Sequence, residues 1–183
     1  MAFAFSPFSS SRASSFPDAY DASIKRAVDL YWGGYPDWLG WKAQLYQESH
    51  LKPEAISPVG ARGLAQFMPG TWRDVTRQLA LPQAASPHDA RYAIEAGAYY
   101  MAKLRAQWKA PRAALEREQL TQASYNAGLG NIMAAQKRCG SPLGYAETVA
   151  CLPGITGRSS AETIAYVRMI AHWRSLMAAE GLH

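Results

Sequence analysis

Glu48-Ser49-His50-Leu51-Lys52-Pro53-Glu54-Ala55-Ile56-Ser57-Pro58-Val59-Gly60-Ala61-Arg62-Gly63-Leu64-Ala65-Gln66-Phe67-Met68-Pro69-Gly70-Thr71 is the stretch on which the reading of this chain turns. It starts inside a helical pattern and then abandons it. Pro53, Pro58, Gly60 and Gly63 fall between 52 and 68, which predicts a small loop or hairpin region in place of a helix. Just upstream, Trp38, Trp41, Leu45 and Glu48 recur at intervals of three, four and three, so they share one face of a helix.

Glu48 is the odd member of that face. Its neighbours direct it toward a core or a cleft, and the proline beyond it puts it near the helix C-terminus. The negative end of the helix dipole disfavours an anion there by about 0.3–1 kcal/mol. Desolvation by the apolar face disfavours the charged form as well. Both effects raise the pKa, and a carboxyl group protonated near neutral pH is what a general acid requires. On the pattern alone, a solvated glutamate at a fraying helix end fits equally well.

Working outward, the chain reads as a succession of helices. Ile24, Ala27, Val28 and Tyr31 mark one over 18–32, ended by Gly33 and Gly34, and Pro36 suits the first position of the next. A short helix is expected over 71–79. Ser86, Pro87 and Asp89 start another, with Ile94, Ala98, Met101, Leu104 and Trp108 on one face. Helices over 112–127, capped by Gly128, and over 131–137 follow. The last opens at Ser159 and turns Val167, Ile170, Trp173 and Met177 inward. The expectation is a mainly α (α+β) fold: a flexible, Ser-rich arm over 1–17 and one compact helical domain over 18–183.

Composition narrows the partners. The chain is 49% hydrophobic and 18% charged, with a net charge of +5, values ordinary for a globular protein with a basic surface. Such a surface suits a polyanionic partner, and no nucleic-acid-binding signature is present, which leaves a bacterial wall or a membrane surface. No stretch reaches the roughly 18 apolar residues that span a bilayer. The first residues lack a basic region ahead of their apolar ones, and Ser6 and Pro7 interrupt these, so a signal peptide is not expected. Cys139 and Cys151 lie near each other without further ligands, so no metal site is expected. They are either a disulfide closing a short loop or two plain thiols.

The residues after Glu48 closely resemble the signature of the soluble lytic transglycosylase family, which has the fold of goose-type lysozyme. That pattern runs Glu-Ser, then Pro-x-Ala-x-Ser-x-x-Gly-Ala-x-Gly-Leu, then Gln and Met-Pro-x-Thr. Ala123-Ser124-Tyr125-Asn126-Ala127-Gly128 resembles the family's Ala-Tyr-Asn-Ala-Gly block, with Ser124 in place of its first alanine. Glu162-Thr163-Ile164-Ala165-Tyr166-Val167 resembles its final Glu-Thr-x-x-Tyr-Val block. The resemblance covers roughly 38–173. It leaves out the arm and does not explain 138–157, which holds both cysteines.

The resemblance implies a peptidoglycan lytic transglycosylase without cofactor, acting on glycan strands as a monomer. Glu48 would protonate the oxygen between N-acetylmuramic acid and N-acetylglucosamine, then deprotonate the C6 hydroxyl that closes a 1,6-anhydro ring. Tyr166 would hold the Glu48 carboxyl, unless it is only a core tyrosine. Ser49, Gln66, Met68, Tyr125 and Asn126 would line the sugar groove, although Asn126 also suits a helix-capping role. Glu162 divides between the groove and a capping box with Ser159. His50 reads as an exposed loop residue. A water-using lysozyme on the same fold and a silent wall-binding protein are the alternatives. A bacteriophage lysis enzyme (an endolysin) or a virion-carried one fits the missing signal; otherwise a periplasmic location is expected.

Overall fold

In a computed structural model, residues 15–35 and 37–182 are described, and they form nine helices. In order these are α1 (Asp21–Tyr31), α2 (Trp38–Ser49), α3 (Pro69–Gln78), α4 (Ala90–Arg105), α5 (Ala114–Ala127), α6 (Leu129–Arg138), α7 (Tyr145–Ala150), α8 (Pro153–Thr156) and α9 (Ser159–Ala179). Pro36 lies outside the described residues; α2 opens after Asp37, whose carboxylate accepts from the Gly40 N–H at 3.0 Å. The arm over 1–14 lies outside them too. Ser15–Pro17, assigned to the arm by sequence, are described: Phe16 is buried edge-on against Tyr46, and Ser15 bonds Glu180 at the far end of the chain.

Two apolar clusters share one helix. Ile24 and Val28 of α1, Trp41 and Leu45 of α2, and Ile94, Ala98 and Met101 of α4 fill the first, together with Leu64 and Phe67 from the loop. Leu39 and Ala43 of α2 turn the other way, into a second cluster with Leu120 of α5, Ile132 of α6, Leu152, and Tyr166, Val167 and Ile170 of α9. A helix between two cores is buried nearly all round. That explains what the one-sided pattern missed: Lys42 and Gln44 are fully buried. Lys42 meets Asp21 at 2.6 Å, the pairing that a buried ammonium requires. Close approach of α4 to α2 depends on Gly97, where a Cβ would meet the Trp41 ring at 2.5 Å.

Two expectations need correction, and one alternative left open, the state of the cysteines, is decided. The helix from Ala90 stops at Arg105, although Trp108 beyond it is still buried. The 138–157 segment holds two short helices, α7 and α8, and its cysteines are bonded to each other. The capping box at Ser159 does not form: α9 has no side-chain cap, and the Ser160 hydroxyl instead donates to the Gly157 carbonyl at 2.7 Å.

The 50–68 loop carries no named strand, only isolated antiparallel bridges between Ile56 and Arg62 and between Arg62 and Phe67. Its backbone is tied inward instead: Gly63 N–H donates to Ala55 O at 2.9 Å, and Arg62 and Phe67 exchange both bonds. His88 Nδ1 meets Pro53 O at 2.9 Å, anchoring the loop to the start of α4. Gly63 has φ +75°, and a Cβ there would overlap the Pro87 carbonyl. Gly63→Ala is expected to destabilise by about 2–4 kcal/mol through left-handed strain and overpacking. A urea titration showing less than 1 kcal/mol of loss would contradict this role.

Candidate active site

The last turn of α2 delivers Glu48. The helix stops because His50 adopts a left-handed conformation, φ 53°, and Leu51 repeats it at φ 59°. Two such residues reverse the chain sharply, and the loop folds back over the helix end. The Ser49 hydroxyl donates to Leu64 O at 2.9 Å and fastens it there. His50 is exposed, its ring edge-on to Tyr46. No cluster of metal-ligating side chains occurs among the described residues.

Glu48 as a residue keeps partial exposure, while its carboxyl lies among protein atoms and is pushed up to about 8. Burial is the main cause. Nearby Glu162 adds repulsion in the same direction, and a hydrogen bond from Tyr166 opposes both. The Tyr166 hydroxyl donates to Glu48 Oε1 across 118 positions of sequence, tying α9 to α2. Burial and the adjacent carboxyl hold the phenol well above its ordinary pKa, so it stays a donor. Gln44, one turn before Glu48, lies close to that phenol and donates to Met101 Sδ at 3.3 Å. Sequence reading passed over Gln44, although its spacing of four from Glu48 was the available signal.

The other predicted residues divide by what their polar atoms do. Burial raises the Tyr125 phenol well above its ordinary pKa, nearby Glu48 adds to this, and the hydroxyl donates to Ala65 O at 2.7 Å. Gln66, itself at φ 44°, donates to Gly63 O at 2.9 Å. Ser49, Gln66 and Tyr125 therefore hold the loop in place, a role that sequence reading did not give them. Met68 is 44% exposed and offers an apolar surface. Asn126 Oδ1 accepts from the Thr163 hydroxyl at 2.8 Å, joining α5 to α9.

Asn126 and exposed Glu162 share a cavity of about 340 Å³ with Ala127, Asn131, Thr156, Ser159 and Thr163. Thr163 lies three residues before Tyr166 on α9, and the charge of Glu162, which lines the cavity, acts on Glu48. Asn131 and Thr156 were not anticipated; nothing in their local pattern singles them out. Glu54 is exposed, and exposed Asp74 pairs with Arg77 on the surface.

A carboxyl whose pKa is higher in the fold than in the open chain binds its proton more tightly when folded. Its stabilising contribution is whole below about 4.5 and is lost as pH rises to about 8. Glu48→Gln removes that titration. Its melting temperature is expected to exceed wild type by about 2–8 °C at pH 9 and to match it near pH 4. Equal melting curves at both pH values would contradict the burial of this charge.

Residues 41–146 match the family described as Transglycosylase SLT domain, more than half of the chain. Among the relatives is "Membrane-bound lytic murein transglycosylase F" of Serratia proteamaculans, 35% identical over 55% of this chain and 19% of that protein. The namesake from Alcanivorax borkumensis is 28% identical over 77% of this chain and 32% of its own length. This chain thus spans about a fifth to a third of the curated relatives it matches. The 70 kDa soluble lytic transglycosylase of Escherichia coli superposes with a TM-score of 0.70 at 26% identity, over 88% of this chain and 24% of that one. Lytic transglycosylase Slt of Pseudomonas aeruginosa, solved as an inactive mutant, gives 0.71 at 25% identity, over 91% and 25%. With this geometry and this match, the chain belongs to the Transglycosylase SLT domain family.

Proposed function

We propose that this chain cleaves the β-1,4 bond between N-acetylmuramic acid and N-acetylglucosamine in peptidoglycan as a lytic transglycosylase. The carrying observation is the pairing of Glu48 with Tyr166 in a buried setting. A carboxyl pushed up to about 8 is protonated at neutral pH, as a general acid must be. Tyr166 occupies Oε1, which leaves Oε2 to hold the proton that passes to the glycosidic oxygen. The muramic C6 hydroxyl then attacks the anomeric carbon and gives its proton to the carboxylate. One carboxyl serves both steps and no water is consumed. The substrate's N-acetyl group stabilises the cationic centre, in place of the second carboxylate used by most glycosidases.

Support comes also from relatives described as murein transglycosylases and from a 70-kDa soluble lytic transglycosylase solved in complex with bulgecin A, which superposes with a TM-score of 0.70. A hydrolytic lysozyme is the second reading, and Glu162 favours it, being a second carboxylate within electrostatic reach of Glu48. The silent wall-binding alternative gains no such observation. The disulfide fits work in an oxidising compartment such as the periplasm. Among the described residues no helix is long and apolar enough to cross a membrane. The narrower reading, bacteriolytic service in phage-type cell lysis, draws on the basic charge and is contradicted if the mature protein starts well downstream of Met1.

Glu48→Gln is expected to lower release of soluble fragments from isolated sacculi by about 10²–10⁴-fold with the circular dichroism spectrum unchanged. Wild-type products should be lighter than hydrolysis products by one water; hydrated ends would favour the lysozyme reading. Activity should fall as pH rises through about 8, where the acid loses its proton. Because the Tyr166 bond lowers the pKa of Glu48, Tyr166→Phe should move that fall to higher pH. A fall moved to lower pH would contradict the assigned contact.

A further inference from the structure

The segment from Arg138 to Gly157 takes no part in the proton transfers, yet it reaches the site. Thr156, the last residue of α8, lines a cavity together with Asn126, Asn131, Ser159, Thr163 and Glu162, the carboxylate whose charge acts on Glu48. Two amides, three hydroxyls and one carboxylate make a polar lining suited to the hydroxyl and acetamido groups of an amino sugar. At about 340 Å³ the space suits a sugar-sized group.

Nothing intrinsic holds that wall. Helices of six and four residues are far below the length at which a helix sustains itself in water. Three devices fix them. Val149 and Leu152 insert into the second apolar cluster. Gly157, at φ 59°, turns α8 into α9. Cys139, capping α6, is bonded to Cys151, capping α7, with Cα atoms 5.7 Å apart. Closing a loop across 12 positions removes chain entropy that favours opening. From Cys151 to Thr156 is only five residues, so the bond fixes where α8 begins and hence where Thr156 stands.

We propose that the Cys139–Cys151 disulfide is a substrate-positioning staple: it holds Thr156 against the cavity so that its side chain can meet a neutral amino-sugar unit flanking the bond to be cut. Thr156 is the positioning residue and the cystine its mount. This rests on the reading of the chain as a glycan-strand-cleaving enzyme.

Soluble oligomers of alternating N-acetylglucosamine and N-acetylmuramic acid test it by steady-state kinetics with mass analysis of products. Cys139→Ala combined with Cys151→Ala should raise KM about three- to tenfold with kcat within about twofold, the loss of roughly one neutral hydrogen bond. Thr156→Val should do the same with the disulfide intact, and Thr156→Ser should restore the wild-type KM. If the cysteine variant does not fold, the two Thr156 variants decide. An unchanged KM with a lower melting temperature would make the staple purely structural and overturn the proposal, as would a lower kcat at constant KM. Wild type that releases no anhydro-ended fragments would instead sink the enzymatic reading, and this one with it.

Discussion

The hydrogen bond from Tyr166 to Glu48 joins residues 118 positions apart, linking α9 of the second apolar cluster to α2, the helix that lies between the two clusters. It requires α2 and α9 to pack along their lengths, and the rest of the architecture can be understood as making that possible. Asp37 and Arg174 pair at 2.9 Å at the other end of the same two helices, and Trp173 Nε1 donates to Gln47 at 2.8 Å. With α2 held at both ends, its final turn carries Glu48 into a desolvated place. Desolvation outweighs the Tyr166 bond, so the proton is retained near neutrality.

The loop over 50–68 supplies the cover for that place. It forms no proper strands because its short bridged segments are interrupted by Pro58, Gly60 and Gly63. Its order comes from side chains and backbone of neighbours: Ser49, Gln66, Tyr125 and His88 each bond a loop carbonyl. The signature residues therefore serve two ends. One holds the retained proton; several others keep a strandless loop folded over it.

Much of this was legible in the sequence because the apolar spacing of α1, α4 and α9 is regular and their ends carry turn residues. Glu48 stood out as a carboxyl on an aromatic face, and family blocks in order placed Tyr166 with it. The burial of Lys42 and Gln44 was not legible, because a helix between two cores leaves no polar face to recognise. Helices α7 and α8 were missed because six- and four-residue helices owe their existence to packing and the disulfide. Ser159 and Glu162 matched a capping box by spacing, yet the chain enters α9 through α8 and Gly157, and no side-chain cap forms. Ser49 and Gln66 were read as sugar contacts; the loop's unpaired carbonyls claim them first.

Everything in the account comes down to whether the proton stays on Glu48 in the folded protein. Carbon-13 labelling of glutamate side-chain carboxyls, followed by NMR titration of the free protein, reads this directly. One carboxyl resonance, missing in Glu48→Gln, should titrate near 8. A Glu48 resonance already ionised at pH 6 would contradict it.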